Sequence, residues 1–338
     1  MFDYATLKLI WWVLVGVLLL GFAIMDGHDM GVGALLPFVG KTDDERRAII
    51  NSVGPHWEGN QVWFVTAGGA IFAAWPLVYA TAFSGFYFAM LAVLWALFFR
   101  PVGFDYRSKV NNPTWRNAWD WGIFVGSAVP ALVFGVAFGN VILGVPFHFE
   151  NSMMPVYTGS FFGLFSPFAL LAGVVSLTML IFHGANYLIL RTEGDIQQRA
   201  RSASLIAGVV MLAGFAVGGL MVSGMQGYVI TSVIDPNAAM NPLDKTVVQE
   251  AGAWLKNYQT WPLLIALPVL AFAAGALALL FAWLKRGMLA FICSALAELG
   301  IIFTAGGSIF PFVMPSNTDL KSSLTVWGPG ARNNVSSG

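Results

Sequence analysis

The ionisable side chains inside the long apolar stretches of this sequence are few, and three of them carry the same chemistry. Asp26 and Asp29 stand three residues apart in Met25-Asp26-Gly27-His28-Asp29-Met30-Gly31-Val32-Gly33, so on a helix they share a face. Glu58 opens a second apolar run, in Pro55-His56-Trp57-Glu58-Gly59-Asn60-Gln61-Val62-Trp63. A charged group inside a membrane is costly, which makes each of these a functional candidate. Carboxyls bind and release protons, and three of them at one depth with access to water are what a proton entry path needs. The same residues would also serve as helix caps facing interfacial water. Glu298, inside the last long apolar run, reads as a carboxyl turned into a helix bundle. Histidine offers a second chemistry, since haem iron takes His or Met as axial ligands. Of His28, His56, His148 and His183, only His183 lies well inside an apolar run. It is read as hydrogen-bonded to a neighbouring helix, with haem ligation as the alternative. Cys293 is the single cysteine, so no internal disulfide and no multi-cysteine metal site exists. No metal is expected in the chain itself.

Composition says what must position these groups. Hydrophobic residues make up 57% of the 338 and charged residues 10%, against roughly 25% charged in a soluble domain. The solvent for such a chain is lipid. The net charge is zero, so nucleic acid is not an expected partner. The opening residues lack a positive n-region and a small-residue cleavage site, so the first apolar run is read as a retained helix. Stretches free of Asp, Glu, Lys and Arg run 9–25, 59–99, 121–149, 151–190, 202–234, 257–284 and 299–318. A span takes about 20 residues, so 59–99 is divided at Trp75-Pro76. Helices are predicted near 7–27, 54–75, 77–99, 117–143, 161–190, 203–226, 261–284 and 288–311. This is an all-α, polytopic integral membrane protein of about eight helices over residues 1–327, followed by a polar tail, 328–338, predicted to be disordered. Lys and Arg gather in cytoplasmic loops. One set of loops holds twelve of them, from Lys41 to Arg286, and the other set, with the termini, holds five. The N-terminus is therefore predicted outside, and the three carboxyls fall at the cytoplasmic ends of their helices. Arg100-Pro101-Val102-Gly103-Phe104-Asp105-Tyr106-Arg107 is predicted as a cytoplasmic loop, with its arginines at the lipid headgroups or docked on another subunit. A short amphipathic helix is expected near 244–256 in the long external loop.

Several segments, taken together, resemble subunit II of cytochrome bd-type quinol oxidases. Besides the two quoted above, they are Gly68-Gly69-Ala70-Ile71-Phe72-Ala73-Ala74-Trp75-Pro76, Phe99-Arg100-Pro101-Val102-Gly103-Phe104-Asp105-Tyr106-Arg107-Ser108 and Phe310-Pro311-Phe312-Val313-Met314-Pro315-Ser316. The resemblance runs from residue 1 to about Trp327. It implies two four-helix bundles with a peripheral ninth helix, in the bacterial cytoplasmic (inner) membrane with the N-terminus periplasmic. It implies an enzyme complex that oxidises ubiquinol or menaquinol and reduces dioxygen to water. Haem b and haem d would be liganded mainly by subunit I. Proton motive force would come from vectorial proton uptake, without pumping. The implied partners are subunit I, small single-helix accessory subunits, quinone and lipid. Subunit II would scaffold the haem subunit and shape proton and oxygen access. By the resemblance, Glu58 falls on the family's proton-path carboxylate and Trp63 on its tryptophan beside the oxygen channel. Asp26 and Asp29 are further candidates for the path. His28 stands where the family commonly has Phe, and after Trp327 the chain leaves the pattern where a ninth helix is expected, as a truncation or altered reading frame would. Two other functions fit parts of the pattern: a secondary transporter, which buried carboxylates and glycine-broken helices would suit, and a subunit needed only for assembly.

Overall fold

A computed structural model of the chain describes residues 3–150, 152–237 and 241–328. Asp3 caps the first helix by accepting the Thr6 N–H. That helix, α1 (Tyr4–Val39), runs 36 residues through Asp26, Gly27, Gly31, Gly33 and Pro37 without ending. At about 1.5 Å per residue it is near 54 Å long, well beyond the ~30 Å of a hydrocarbon core. The sequence predicts its end near residue 27, where acids and glycines accumulate. The helix continues because of its contact with α7 (Pro167–Arg191). A Cβ on Gly31 would fall 2.0 Å from the Leu180 carbonyl oxygen, and one on Gly184 would fall 2.6 Å from the Gly31 carbonyl carbon. These glycines let two backbones touch, as small residues do where membrane helices cross. Gly31→Ala is therefore expected to cost at least about 1–3 kcal/mol and to lower the thermal melting point of the assembled complex. An unchanged melt would show that the helices can separate without loss.

After α2 (Asp43–Val53), which opens on a Thr42–Glu45 capping box, the chain enters α3 (Trp57–Ala74) and α4 (Pro76–Gly85), which turn on each other by 120°. The break predicted at Trp75-Pro76 is thus present. A second break, at Phe86, separates α4 from α5 (Tyr87–Tyr106), so the predicted helix 77–99 is two. The remaining helices are α6 (Pro113–Leu143), α8 (Gly194–Gly224), α9 (Lys256–Thr260), α10 (Ala266–Trp283) and α11 (Gly287–Ile309). Among the described residues seven helices are long and apolar enough to cross a membrane, or eight with the bent α3–α4 pair counted as one span. The chain is a multi-pass membrane protein. Among the described contacts α1 packs on α3, α6 and α7, α5 on α6, α7 on α8 and α11, and α10 on α8 and α11. α6 packs on α7 as well, so the helices form one continuous bundle.

The two ends of the helices differ. One carries α4 and three antiparallel hairpins: β1 (Phe147–Phe149) with β2 (Pro155–Tyr157), β3 (Gln226–Ile230) with β4 (Val247–Ala251), and β5 (Phe312–Met314) with β6 (Leu324–Thr325). The amphipathic helix expected at 244–256 is replaced by β4 and short helical turns. Val247 and Val248 pair with Ile230 and Val229, and β-branched residues facing each other favour a ladder over a helix. Lys8 ties the N-terminus to this end by donating to the Pro236 and Trp327 carbonyls at 2.8 and 3.2 Å. Residues 329–338, most of the polar tail expected to be disordered, lie outside the described residues.

The opposite end is fastened by ion pairs. Asp120 is fully buried and takes Arg107 at 2.5 Å and Arg46 at 2.8 Å. Asp43 bridges Arg107 and Arg116 at 2.8 and 2.5 Å, and their hydrogen bonds and charge hold its carboxyl below the ordinary value although desolvation pushes the other way. Glu45 takes Arg199 at 2.5 Å. Hydrogen bonds from Arg199 and from the Lys41 N–H keep its carboxyl low as well. The segment from Arg100 to Arg107 is thus not a loop at the headgroups. Arg100 lies within α5, and both arginines are buried in ion pairs.

Candidate functional site

The stretch of α1 that packs on α7 through Gly27 and Gly31 turns its acids toward α3 and α5, where they are completely buried. Asp26 forms a two-pronged ion pair with Arg100 of α5, at 2.6 and 3.0 Å. Neither residue reaches solvent. The fork geometry matches guanidinium to carboxylate, and the pair neutralises a charge that the interior could not hold alone.

Asp29, one turn further, is surrounded by side chains that settle their hydrogen-bond roles one after another. Tyr187 of α7 donates its hydroxyl to the Ser52 carbonyl at 2.7 Å, so its oxygen accepts from His56 Nε2 at 3.0 Å. Nδ1 of a neutral His56 is then a lone pair, and it accepts from the Asn60 amide at 3.0 Å. The same Asn60 nitrogen donates to Asp29 Oδ2 at 2.8 Å. His28 gives its Nδ1–H to the Ile24 carbonyl at 2.9 Å, which leaves Nε2 as the lone pair. That Nε2 sits 3.2 Å from Asp29 Oδ1, and His56 Nδ1 sits 3.5 Å from the same oxygen. Three acceptors converging in this way repel unless a proton lies among them. The three atoms thus face a point that a proton or another cation can occupy. Access comes from the start of α3, where the His56 side chain is 37% exposed while Asp29 is sealed.

His183 continues the polar row inward. Its Nδ1 contacts Ser294 Oγ at 2.7 Å, its Nε2 contacts the Ile24 carbonyl at 3.2 Å, and its ring stacks on Phe291 with centroids 4.4 Å apart. Glu298, one turn beyond Ser294 on α11, is buried with neither carboxyl oxygen hydrogen-bonded. A separate cavity of about 790 Å³ is lined by apolar side chains, among them Phe22, Phe64, Phe134, Met179 and Trp254.

The sequence of the whole chain decides the family. Residues 7–335 match the family described as cytochrome bd terminal oxidase subunit II. The chain belongs to the cytochrome bd terminal oxidase subunit II family. It is 56% identical over 328 residues to "Cytochrome bd-I ubiquinol oxidase subunit 2" of Escherichia coli K12, covering 97% of this chain and 86% of that one. It is 55% identical over 327 residues to "Probable cytochrome oxidase subunit 2" of Haemophilus influenzae, with the same coverage. The fold is also that of "The structure of bd oxidase from Geobacillus thermodenitrificans", with a TM-score of 0.63 at 12% identity over 96% of this chain and 91% of that one. This subunit II is thus part of a respiratory quinol oxidase, an oxidoreductase complex, and the resemblance read in its motifs is borne out.

Of the candidates singled out in the sequence, Asp26, Asp29 and His56 come together, and Glu58 does not join them. It lies exposed on the first turn of α3 while Asn60 turns inward to Asp29. Asp26 and Asp29 lie in the middle of α1, and the carboxylate cluster is reached through the start of α3. Trp63 is half-buried, its ring flat against Gly21, where a Cβ would come within 2.3 Å. Trp63 neighbours Phe64 of the cavity wall. The residues missed in the sequence are Arg100, Asn60 and Tyr187. His56 and Asn60 are four apart, a usable signal; nothing local marks Arg100, 74 residues from Asp26.

Haem is implied by the family, and the residues here do not fit it. The cavity lining contains no histidine and no charged side chain to meet a propionate. His183, the histidine candidate, has both ring nitrogens engaged.

Proposed function

We propose that this subunit is the part of a bacterial quinol oxidase that carries no haem iron and instead supports the haem-bearing subunit I, admitting protons and oxygen to it. In this reading haem b and haem d are held by subunit I, and ubiquinol or menaquinol is the electron donor. Small single-helix subunits complete the complex in the inner membrane. Reduction of dioxygen to water consumes protons, and drawing them from the cytoplasm generates proton motive force without pumping. The observation that carries the proposal is the convergence of Asp29, His28 and His56, opening to solvent at His56. Glu58 lies two residues away on the outer face of the chain, where subunit I could receive a proton from it. Asp26, held by Arg100, supplies a fixed charge beside this route. Trp63 and the apolar cavity beside it suit passage of oxygen. Family membership displaces the transporter reading.

The test is turnover per assembled haem. Glu58→Gln is expected to slow oxygen consumption several-fold with normal haem content, because an amide does not exchange a proton as an acid does. Glu58→Asp keeps the carboxyl and should retain much of the activity. Full turnover in Glu58→Gln would remove Glu58 from the path.

Orientation follows from the charges. The end fastened by Arg46, Arg107, Arg116 and Arg199 is proposed to be cytoplasmic, which puts the hairpins and the N-terminus in the periplasm. Reporter fusions in 227–260 should give a periplasmic signal. A cytoplasmic signal there would reverse the direction of proton entry.

A further inference from the structure

We infer that His28, Asp29 and His56 form a binding site for a borderline divalent transition-metal ion, with zinc as the cation their chemistry suits best. The ligand atoms would be His28 Nε2, His56 Nδ1 and Asp29 Oδ1. All three lie within 4.8 Å of one another. The two measured edges, 3.2 and 3.5 Å from Asp29 Oδ1 to the two ring nitrogens, bracket the value for a tetrahedral site. Zinc bonds of about 2.0–2.1 Å place neighbouring ligand atoms about 3.3–3.4 Å apart. Two imidazoles and one carboxylate with an open fourth position are a common catalytic or regulatory donor set, and nitrogen donors disfavour magnesium and calcium.

The surroundings point the same way. Metal-bound histidines as a rule donate their second ring N–H to an oxygen acceptor, which fixes the tautomer and aims the other nitrogen at the metal. Both histidines do this: His28 through the Ile24 carbonyl and His56 through the Tyr187 hydroxyl, itself fixed by Ser52. His28 Nε2 and Asp29 Oδ1 are both buried without a hydrogen-bond partner. The partly exposed His56 leaves a way in from solvent and room for water at the fourth position. Asn60 must release His56 Nδ1 when the ion enters, while it keeps its bond to Asp29 Oδ2. Adjacent residues His28 and Asp29 do not form a familiar metal-binding spacing, so only the fold shows the site. The inference requires the ligand geometry alone and stands whether or not Asp29 carries protons to oxygen reduction.

The test uses the purified oxidase complex, stripped with a chelator and dialysed against micromolar radiolabelled zinc. One zinc is expected beyond the background of the double variant His28→Phe/His56→Gln. The zinc X-ray absorption edge of the wild-type complex is expected to show nitrogen and oxygen neighbours at about 2.0–2.1 Å, with scattering from two imidazole rings. Each single variant should weaken binding at least about 100-fold, the upper end of the cost of losing an outer-shell partner. Absence of the extra zinc, an absorption spectrum without imidazole, or equal binding by wild type and both single variants would overturn the assignment. The wild-type spectrum decides the question even if a variant fails to assemble.

Discussion

Arg100→Met is expected to deplete the subunit from the membrane. The substitution leaves the Asp26 carboxylate fully buried, without its ion-pair partner among the described residues. Removing one member of a buried pair costs about 3–5 kcal/mol, because the remaining charge is stranded in a medium that solvates it poorly. A domain has only about 5–15 kcal/mol of net stability, so the loss is large for a protein that must also find its partner. The double variant Asp26→Leu/Arg100→Met removes both charges and should recover much of the lost yield, since well-packed apolar replacements of buried pairs are often neutral. Complex yield and thermal melting of the four-member cycle give the comparison. If the single and double variants were depleted equally, packing around Arg100, including its position 6.0 Å from the Trp57 ring, would outweigh the ion pair. If Arg100→Met assembled normally, the pair would be dispensable. Turnover of the recovered double variant would then report on the fixed charge beside Asp29, separately from its role in folding.

That pair also marks where sequence reading ran out. Asp26, Asp29 and Glu58 were visible because a carboxyl in an apolar run is costly wherever it lands. The spans were visible because charged residues are rare enough to punctuate them. Long motifs such as Pro55-His56-Trp57-Glu58-Gly59-Asn60-Gln61-Val62-Trp63 identified the family. What stayed hidden depended on contacts between distant segments. Gly27, Gly31 and Gly33 weaken a helix by their local preference, yet α1 runs through them because α7 presses against Gly27 and Gly31 and α6 against Gly33. Arg100 and Arg107 look like headgroup anchors beside Pro101. Their carboxylate partners, Asp26 and Asp120, come from other helices, and no spacing in the chain announces them. The short hairpins at one end of the helices were hidden for a different reason. Strands of two to five residues give too little alternation to be told from turns. Glu58 shows the reverse limit: its motif was legible, but which way its side chain faces was settled by Asn60 and His56 turning inward.

Asp29→Asn is expected to separate proton transfer from folding more sharply than any other single change. An asparagine at this position keeps an acceptor for the Asn60 amide. It also places an N–H group where Asp29 Oδ1 now faces the lone pairs of His28 Nε2 and His56 Nδ1, 3.2 and 3.5 Å away. The acceptor crowding in the present site is thereby relieved. Complex yield and haem content should match wild type, and the melting point should hold or rise, a satisfied hydrogen bond being worth about 1 kcal/mol. The exchangeable carboxyl is gone. Positioned acid–base groups contribute typically about 10²–10⁴-fold to proton-transfer steps, so oxygen consumption per haem is expected to fall at least about tenfold, even with His56 still available. Asp29→Glu should not simply restore it, because an extra methylene on this buried side chain would push the carboxyl toward imidazoles already 3.2 and 3.5 Å away. A structural role predicts the opposite pattern, lower yield with full turnover in whatever assembles. Normal turnover in a fully assembled Asp29→Asn complex would mean that the protons bypass this group altogether. Glu58, exposed on the outer face of α3, would then have to pass them to the partner subunit without it.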